Sequence, residues 1–447
     1  MGPHGLATSL TPHHREGGPR DRADASGGGY AKVLKLILLT GLALAVLAPA
    51  AIVRAQRASI DQNIFLDLLP GLKTAPAPAW LRPGTRITYL SAAASIAAER
   101  AKLVEDPYGD WEVTYPDGSK KRFREEDISG TGQAGAGHTV LSVVYLDRSV
   151  AVMEFRSYAS LTYGGPSFLA RLAGAVGIPG AGSDFWMHPA VLAQAPGLHL
   201  GTELTVLRMG YALHGRQYRV IRFQGKSSSW NYEETSGILF RSSATAETTV
   251  MVPPTGTSGP VTQRVGGTLI AQNTFMDVRT PPIPWAQAPA PSWFADARRV
   301  VYDGTFTLYV PGSPALSAPL RVTFDRQQFG GQWARYIQHE EMPNVRGLPP
   351  MESTTTRVFG PAQIGGLWVP PDVQKQLRPG QVLDRDPATG IVATVSGESG
   401  GGFGISESND LHRIDYLYDT RNGILVFART TNRSLNIVIE WRLLGVQ

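Results

Sequence analysis

An internal duplication is the feature of this sequence that most constrains its fold. Four short patterns occur twice, in the same order along the chain. The residues shared by the two copies are Trp80, Arg86 and Tyr89 against Trp293, Arg299 and Tyr302; Trp186, Pro189, Val191 and Gln194 against Trp368, Pro371, Val373 and Gln376; Leu198, Gly201 and Leu204 against Leu377, Gly380 and Leu383; and Tyr232, Gly237, Ile238 and Leu239 against Tyr418, Gly423, Ile424 and Leu425. A tandem duplication builds the same unit twice, so the sequence predicts two related domains.

The repeated positions carry residues suited to a framework. Ten of them stand out, and none is an acid, a base or a nucleophile: Trp186, Pro189, Gly201, Tyr232, Gly237, Trp368, Pro371, Gly380, Tyr418 and Gly423. Aromatic rings anchor the packing of a core, proline restricts a turn, and glycine adopts positive φ at low cost. We therefore predict that these residues support the fold in both copies.

Short runs of β-branched and aromatic residues indicate that both copies are mainly β. Alternation of apolar and polar residues, as in Asn436–Arg442, is typical of a strand with one buried face. Helical character is predicted only for the Ala-rich run Ser91–Val104 and for Ser167–Val176. Because no strand–helix–strand alternation is present, we expect two tandem antiparallel units, each a curled sheet or half-barrel, after an N-terminal transmembrane or signal helix.

Two proline-rich stretches set the expected domain boundaries. They are Ala75–Trp80 and Pro281–Trp293, and proline without apolar periodicity favours a stiff, extended linker. The expected organisation is a disordered cytoplasmic leader (1–30), a transmembrane signal anchor or signal peptide (33–55), a proline-rich stalk (56–79), a first β unit with insertions (80–280), a proline-rich linker (281–292) and a second β unit (293–447).

One apolar segment near the N-terminus predicts export. Leu36–Val53 carries no charge, whereas a single charge at the centre of a bilayer costs about 2.5–3.5 kcal/mol. More basic residues precede the segment than follow it, which favours a cytoplasmic N-terminus. The long leader favours a retained anchor, whereas Pro49 and the Ala-rich end favour a signal peptide cleaved near Ala55. We expect the main part to be extracytoplasmic, in the periplasm or at the cell surface, and secreted if the segment is cleaved.

Composition argues against several kinds of site. The chain has no cysteine, which excludes disulfides, thiolate metal sites and thiol nucleophiles. Its net charge of +5 arises from 42 basic and 37 acidic residues without a dense basic run, so we expect no nucleic-acid partner. The histidines show no metal-ligand spacing, and no cofactor motif stands between the elements it needs. We therefore expect neither a metal ion nor a cofactor.

The segment Gly397–Gly401 fits the G-x-S-x-G pattern of a nucleophile elbow and resembles the G-D-S-G-G of chymotrypsin-like proteases. An elbow needs a helix directly after its serine, but Gly402–Gly404 is a poor helix start. The only later histidine is His412, and the residues around it match no known order of a catalytic triad. Ser399 is thus the one catalytic candidate, and the sequence favours a Gly/Ser loop between strands instead.

The segment Asp384–Gly390 offers two carboxylates at alternate positions, as calcium-binding loops do. The later oxygen ligands of an EF-hand are missing, because Ala388 and Val395 occupy their positions. We interpret this segment as a tight turn that joins two strands.

Duplicated β architecture without a credible catalytic set predicts a non-catalytic protein. The leading hypothesis is an exported or membrane-anchored protein that binds a small or lipidic ligand in the cell envelope, because a curled sheet can enclose an apolar cavity. The alternative is a cell-envelope scaffold that holds a partner protein through sheet edges or aromatic surfaces. A second alternative is a hydrolase that uses Ser399. Membrane contact would be made through Leu36–Val53.

Overall fold

The structure is a computed structural model that describes most of the chain after residue 64. The described residues are 65–96, 102–105, 111–114, 118–123, 133–161, 171–196, 204–252, 263–309, 312–343, 350–399, 401–433 and 436–447. Within these ranges no helix has both the length and the apolar character needed to cross a membrane. The predicted leader, Leu36–Val53 and Gly201 lie outside the described residues.

Most of the described secondary structure is strand. In chain order the strands are β1 (Arg86–Ile96), β2 (Lys102–Glu105), β3 (Trp111–Thr114), β4 (Lys120–Phe123), β5 (Gln133–Leu146), β6 (Ala151–Leu161), β7 (Arg171–Gly177), β8 (Thr205–Leu213), β9 (Arg216–Gln224), β10 (Ser228–Glu233), β11 (Leu239–Val252), β12 (Gln263–Arg279), β13 (Arg299–Leu308), β14 (Leu316–Phe329), β15 (Ala334–Met342), β16 (Met351–Phe359), β17 (Val382–Arg385), β18 (Val392–Ser399), β19 (Gly402–Ser408), β20 (His412–Asp419), β21 (Leu425–Asn432) and β22 (Ile437–Val446). The short helices are α1 (Phe65–Leu68), followed by a 3-10 turn (Pro70–Lys73), α2 (Pro189–Leu192), α3 (Ser292–Asp296) and α4 (Pro371–Gln374).

The two large sheets share one strand order. The first sheet, of nine strands, runs β7-β6-β5-β1-β12-β11-β10-β9-β8, and the second, of ten, runs β16-β15-β14-β13-β22-β21-β20-β19-β18-β17. In each, the first strand lies between the last strand and a meander of three, and neither sheet closes into a barrel. Strands β2–β4 form a small third sheet. The predicted mainly β fold with two antiparallel sheets is confirmed, and the shared order is what a tandem duplication produces.

The repeated residues make the same connections in both large sheets. Pro189 and Pro371 each begin the short helix of their unit. The equivalent contacts are the hydrogen bonds from Trp80 Nε1 to the Ser236 carbonyl (2.7 Å), from Trp293 Nε1 to the Asn422 carbonyl (2.9 Å), from the Tyr232 hydroxyl to the Asp184 carbonyl (2.8 Å) and from the Tyr418 hydroxyl to the Gly366 carbonyl (3.2 Å), together with the isolated bridges Trp186–Ile238 and Trp368–Ile424.

Two repeated glycines occupy positions that no other residue fits without strain. Gly237 has φ 72° and Gly423 has φ 77°. A Cβ at Gly237 would lie 1.8 Å from the carbonyl oxygen of Met187, and one at Gly423 would lie 2.3 Å from that of Val369. Only glycine combines this backbone conformation with so close an approach. Gly380 also has positive φ, 81°, but nothing lies within 4 Å of its Cβ position.

Each large sheet has its own core, filled in part by the segment that precedes the unit. Phe65 and Leu72 lie within the predicted stalk, but they belong to α1 and the 3-10 turn and are 0% exposed in the first core. Ile283 and Trp285 lie within the predicted linker and are buried in the second core. Both segments carry large apolar side chains, and burying these is worth more than leaving the chain extended in water.

The two helices predicted from the sequence do not form where the structure describes them. Ser91–Ile96 continues β1, and Lys102–Glu105 is β2. Arg171–Gly177, from the second predicted helix, is β7 and pairs with β6. Helix propensity is a weak preference, and pairing with neighbouring strands overrides it here.

Candidate functional site

A buried set of ion pairs joins the first large sheet to the second. Arg86 Nη1 lies 2.7 Å from Asp384 Oδ2, and Arg279 Nε lies 3.0 Å from Asp384 Oδ1. Arg279 Nη2 lies 3.1 Å from Asp386 Oδ2, which also accepts a hydrogen bond from the Thr88 hydroxyl at 3.1 Å. The arginines and the threonine come from β1 and β12, and the aspartates from the β17 hairpin. The interface is therefore specified by charge at this point.

Strand alternation explains why β1 serves both a core and an interface. Ile87 and Tyr89 are fully buried in the first core. Successive side chains of a strand point to opposite faces, so Arg86 and Thr88 point away from that core and toward the second sheet.

Asp386 has two structural tasks. Its Oδ1 accepts hydrogen bonds from the backbone N–H groups of Ala388 (2.9 Å) and Thr389 (3.3 Å), which close the turn between β17 and β18. Its Oδ2 receives Arg279 and Thr88 of the first unit. The tight turn predicted for Asp384–Gly390 is confirmed by the pairing of β17 with β18.

A second buried cluster lies farther along the same interface. Arg156 on β6 pairs with Glu407 on β19, and the Tyr416 hydroxyl donates to the same carboxylate at 3.2 Å. Glu154, also on β6, accepts a hydrogen bond from Gln363 Nε2 at 2.7 Å. Arginine and glutamate are rarely buried unless they are paired, so both clusters bind one unit to the other in a defined orientation.

Two of the interface groups, Asp384 and Arg156, are held in their charged forms. Burial by itself would raise the pKa of Asp384, but the positive charges of Arg86 and Arg279 outweigh it and lower that pKa. Burial would likewise lower the pKa of Arg156, yet the adjacent Glu407 carboxylate raises it well above the usual value. At both residues the pairing with an opposite charge outweighs the effect of burial on the pKa.

The space enclosed at the interface is small and its charges balance. The cavity has about 10 Å³ available to a water-sized sphere, enough for roughly one molecule of water. It is lined by Arg86, Val140, Ser142, Arg156, Tyr158, Arg279, Asp384, Asp386, Ile391 and Glu407, three arginines against three carboxylates. Within the described part of the chain, Arg86 Nε and Glu407 Oε1 are buried without a hydrogen-bond partner. The cavity is too small for a ligand, so its charged residues serve to join the two units.

A larger, open groove lies on the second sheet. Its volume is about 580 Å³. Its lining is Asp303, Gly304, Pro319, Leu320, Arg321, Glu341, Met342, Pro343, Pro350 and Glu352. Arg321 lies 2.9 Å from Asp303, and Glu341 pairs with Glu352 across β15 and β16. The groove mixes apolar and charged side chains and is open to solvent, which suits contact with another chain better than enclosure of a small molecule.

The four edges of the large sheets differ in what covers them. Edge strands β7 and β16 pack together. Gly174 on β7 permits this contact, because a Cβ at that position would lie only 2.6 Å from atoms of Val358 on β16. Edge strand β17 supplies Asp384 to the interface. Edge strand β8 pairs on one side with β9. On its other side, no strand of the described ranges pairs with it.

Ser399 does not have the setting of a nucleophile elbow. It ends β18 and pairs with Gly402 at the start of β19, so a strand follows the turn where an elbow requires a helix. Strand β20 runs from His412 to Asp419, and it is Asp419 that pairs with Gly402. His412 therefore lies at the opposite end of β20 from this turn. The His412 ring instead lies 5.9 Å from the ring of Tyr158 in the interface.

The ionic interface has no recognisable signal in the sequence. Arg86 and Asp384 are 298 positions apart, and neither stands in a recognisable motif with the other. Among the described residues, no group of three or more acidic or histidine side chains is arranged to hold a metal ion.

Comparisons with known proteins add two distant structural likenesses. No protein-family model matches the chain, and no curated protein matches it. The crystal structure of MucB in complex with MucA(peri) is similar at 10% identity, over 67% of this chain and 93% of that one, with a TM-score of 0.16. A protein of unknown function from the DUF3598 family of Nostoc punctiforme is similar at 9% identity, over 81% and 96%, with a TM-score of 0.12. Likeness at this level carries no inference about the present chain.

Proposed function

We propose that this chain is a non-catalytic protein of the cell envelope that binds a partner protein on its outer surface. The observation that carries the proposal is that the chain fills the core face of each large sheet with its own side chains. Phe65 and Trp186 fill the first core, Trp285 and Tyr418 fill the second, and all four are 0% exposed. The envelope location is supported by the uncharged segment Leu36–Val53.

Because side chains of the chain itself fill both core faces, we expect a partner protein to bind on the outer surfaces of the sheets. The groove over β13–β16 has a volume of about 580 Å³ and a lining of both apolar and charged side chains. The edge strand β8 offers backbone hydrogen-bonding groups that no strand of the described ranges pairs. Sheet edges and open grooves are common places for a second protein chain to bind.

Carriage of a small or lipidic ligand is the second candidate, and one feature favours it. A row of polar side chains crosses the core face of the first sheet. Ser91 lies 2.9 Å from Thr139 and donates to Asn273 Oδ1 at 2.7 Å. A ligand that displaced part of the neighbouring core would meet hydrogen-bonding groups there. Such displacement would expose buried apolar side chains, and the burial of each is worth about 1.5–3 kcal/mol.

Photocrosslinking in intact cells tests the proposal on the full chain. A photoreactive phenylalanine analogue is placed at Arg321 in the groove, at Gly210 on β8 and, as a control, at Lys375, whose side chain is 73% exposed. We expect discrete protein adducts from the groove or the edge and none from Lys375. Solvent extracts of the purified full chain are analysed in parallel. A stoichiometric small molecule with no adduct at either surface would overturn the proposal in favour of the second candidate.

A further inference from the structure

Among the described residues, no strand covers the outer edge of the first sheet as β17 covers the corresponding edge of the second. Leu383, the counterpart of Leu204, lies within β17, and β17 pairs with β18. Leu204 instead stands directly before β8, which is the last strand of its sheet. Strand β8 therefore presents one side of a nine-residue backbone for pairing.

The side chains of β8 leave room for an added strand. On one face, Leu207 is 48% exposed and precedes the half-buried Met209. On the other face lie Arg208 and Gly210, and nothing occupies the space within 4 Å of the Gly210 Cβ position. A neighbouring strand would thus meet apolar surface on one face, and a cation beside an open gap on the other.

The surroundings of this edge are positively charged. Residues 204–232 include five arginine or lysine residues and no acidic residue. Arg208 and Arg219 both approach the single carboxylate of Glu234, at 2.9 and 3.3 Å. Arg219 pairs with Gly210 across the hairpin, and its side chain is 72% exposed. Arg216 is also exposed. Two guanidinium groups share one carboxylate, so positive charge remains beside the gap.

We propose that β8 binds an acidic, extended segment of a partner protein by β-strand addition. The inference rests on the proposed function and names its site and its partner's chemistry. Backbone hydrogen bonds supply affinity in this mode, and alternate side chains supply specificity. Acidic residues of the segment face Arg208 and Arg219, and apolar residues face Leu207. A second copy of this chain would bring the same positive charge to the edge, which opposes pairing of β8 with itself.

Synthetic peptides test strand addition on the full chain in detergent micelles. The probe is a fluorescein-labelled peptide of alternating glutamate and valine, as long as β8, and its binding is followed by fluorescence anisotropy. Its lysine–valine counterpart should bind about tenfold more weakly or worse, because like charges then meet at the edge. Two further probes carry N-methyl groups on alternate amides. In one probe the methyl groups lie along one edge of the extended peptide, and in the other they lie along the opposite edge. One pattern should lose about tenfold or more in affinity and the other should retain it, since only one edge faces β8.

Protein variants locate the binding to this edge. The double substitution Arg216→Glu and Arg219→Glu should weaken the glutamate peptide about tenfold, and added salt should weaken the wild-type interaction by screening. Arg421→Glu, at an exposed arginine of the second unit, is the matched control and should leave affinity unchanged.

Three results would overturn the inference. Equal binding of both N-methylated peptides would mean that no strand is added. Dimers of the full chain in sedimentation, lost on Leu207→Lys, would mean that a second copy occupies the edge. A crosslinked partner at Arg321 but none at Gly210 would preserve the proposed function and reject this site. A bound small molecule with no adduct anywhere would reject the proposed function itself.

Discussion

At the same step in their strand order, the two large sheets fill their core faces differently. In the first sheet, Ser91 pairs across β1 and β12 with Asn273, and the two side chains hydrogen-bond at 2.7 Å. In the second sheet the corresponding pair is Gly304 and Trp441, and the indole packs against Tyr302 with ring centroids 6.1 Å apart. The same strand order is therefore compatible with polar side chains or with an aromatic side chain at this position of the core face. The shared anchors, not the identity of the core, hold the architecture.

The two units also use one repeated arginine for different purposes. Arg86 is 8% exposed and pairs with Asp384 of the other unit. Arg299, its counterpart, has a side chain that is 51% exposed and pairs with Asp325 of its own sheet. The hairpin that supplies Asp384 begins with β17, which has no counterpart among the described strands of the first sheet. The extra strand thus covers an edge of the second sheet and also ties that sheet to the first.

The largest expected effect comes from substituting these two arginines in turn. Arg86→Met leaves Asp384 buried with one cation fewer and should lower the free energy of unfolding by about 3–5 kcal/mol. Arg299→Met should produce no measurable change, because an exposed ion pair is screened by water and salt. Urea denaturation of the full chain, followed by tryptophan fluorescence, measures both. Equal effects of the two substitutions would show that the interface pair does not stabilise the fold.

The repeated glycines give the next largest effect. Gly237→Ala places a Cβ 1.8 Å from the Met187 carbonyl oxygen and should cost about 2–3 kcal/mol as the turn shifts. Gly423→Ala, at 2.3 Å from the Val369 oxygen, should cost less. Gly390→Ala is the matched control: φ is 69° and nothing lies within 4 Å, so only the left-handed conformation is penalised, by about 1 kcal/mol. The same urea titrations rank the three, and a cost for Gly237→Ala no greater than that of the control would contradict the close approach.

The duplication was readable from the sequence because its signals are local. Trp186 and Gly237, with their counterparts Trp368 and Gly423, keep their residue type and order, and each fixes a turn or an anchor in its own unit. The contact between the units left no such signal. Arg86 and Asp384 meet only after each has been placed by a different sheet, 298 positions apart.

Local preference also misled the prediction where pairing decides the structure. Ser91–Ile96 is rich in alanine and favours a helix by propensity, but β5 and β12 pair with it on both sides. Phe65 lies in a segment predicted as a stalk, yet its ring lies 4.9 Å from that of Phe223 in the first core. In both cases the tertiary contact that decides the structure comes from a distant part of the chain.

Acid should loosen the contact between the units in a graded way. The pKa of Asp384 is lowered in the folded chain, against the effect of burial, by Arg86 and Arg279. Its stabilising contribution is therefore complete above the unfolded-state pKa of about 3.9 and is lost as pH falls through the lower folded-state pKa. The difference in free energy of unfolding between wild type and Asp384→Asn should accordingly shrink below about pH 4. Arg299→Met should keep the wild-type acid profile, and a difference that stays constant with pH would argue against the ion pair.

Substitutions on the outer edge strands β8 and β17 should have the smallest effect on stability, but they should differ in their effect on peptide binding. Leu207 on β8 and Val382 on β17 are each 48% exposed, so Leu207→Glu and Val382→Glu should each change the free energy of unfolding by about 0.5 kcal/mol or less. Only Leu207→Glu should weaken the glutamate–valine peptide, because a charge then replaces the apolar contact with the peptide's valines at the edge where that strand binds. Anisotropy titrations of the two variants, made at one ionic strength, provide the comparison. Equal weakening by both would place the peptide elsewhere, and marked unfolding of Leu207→Glu would mean that the edge is already covered.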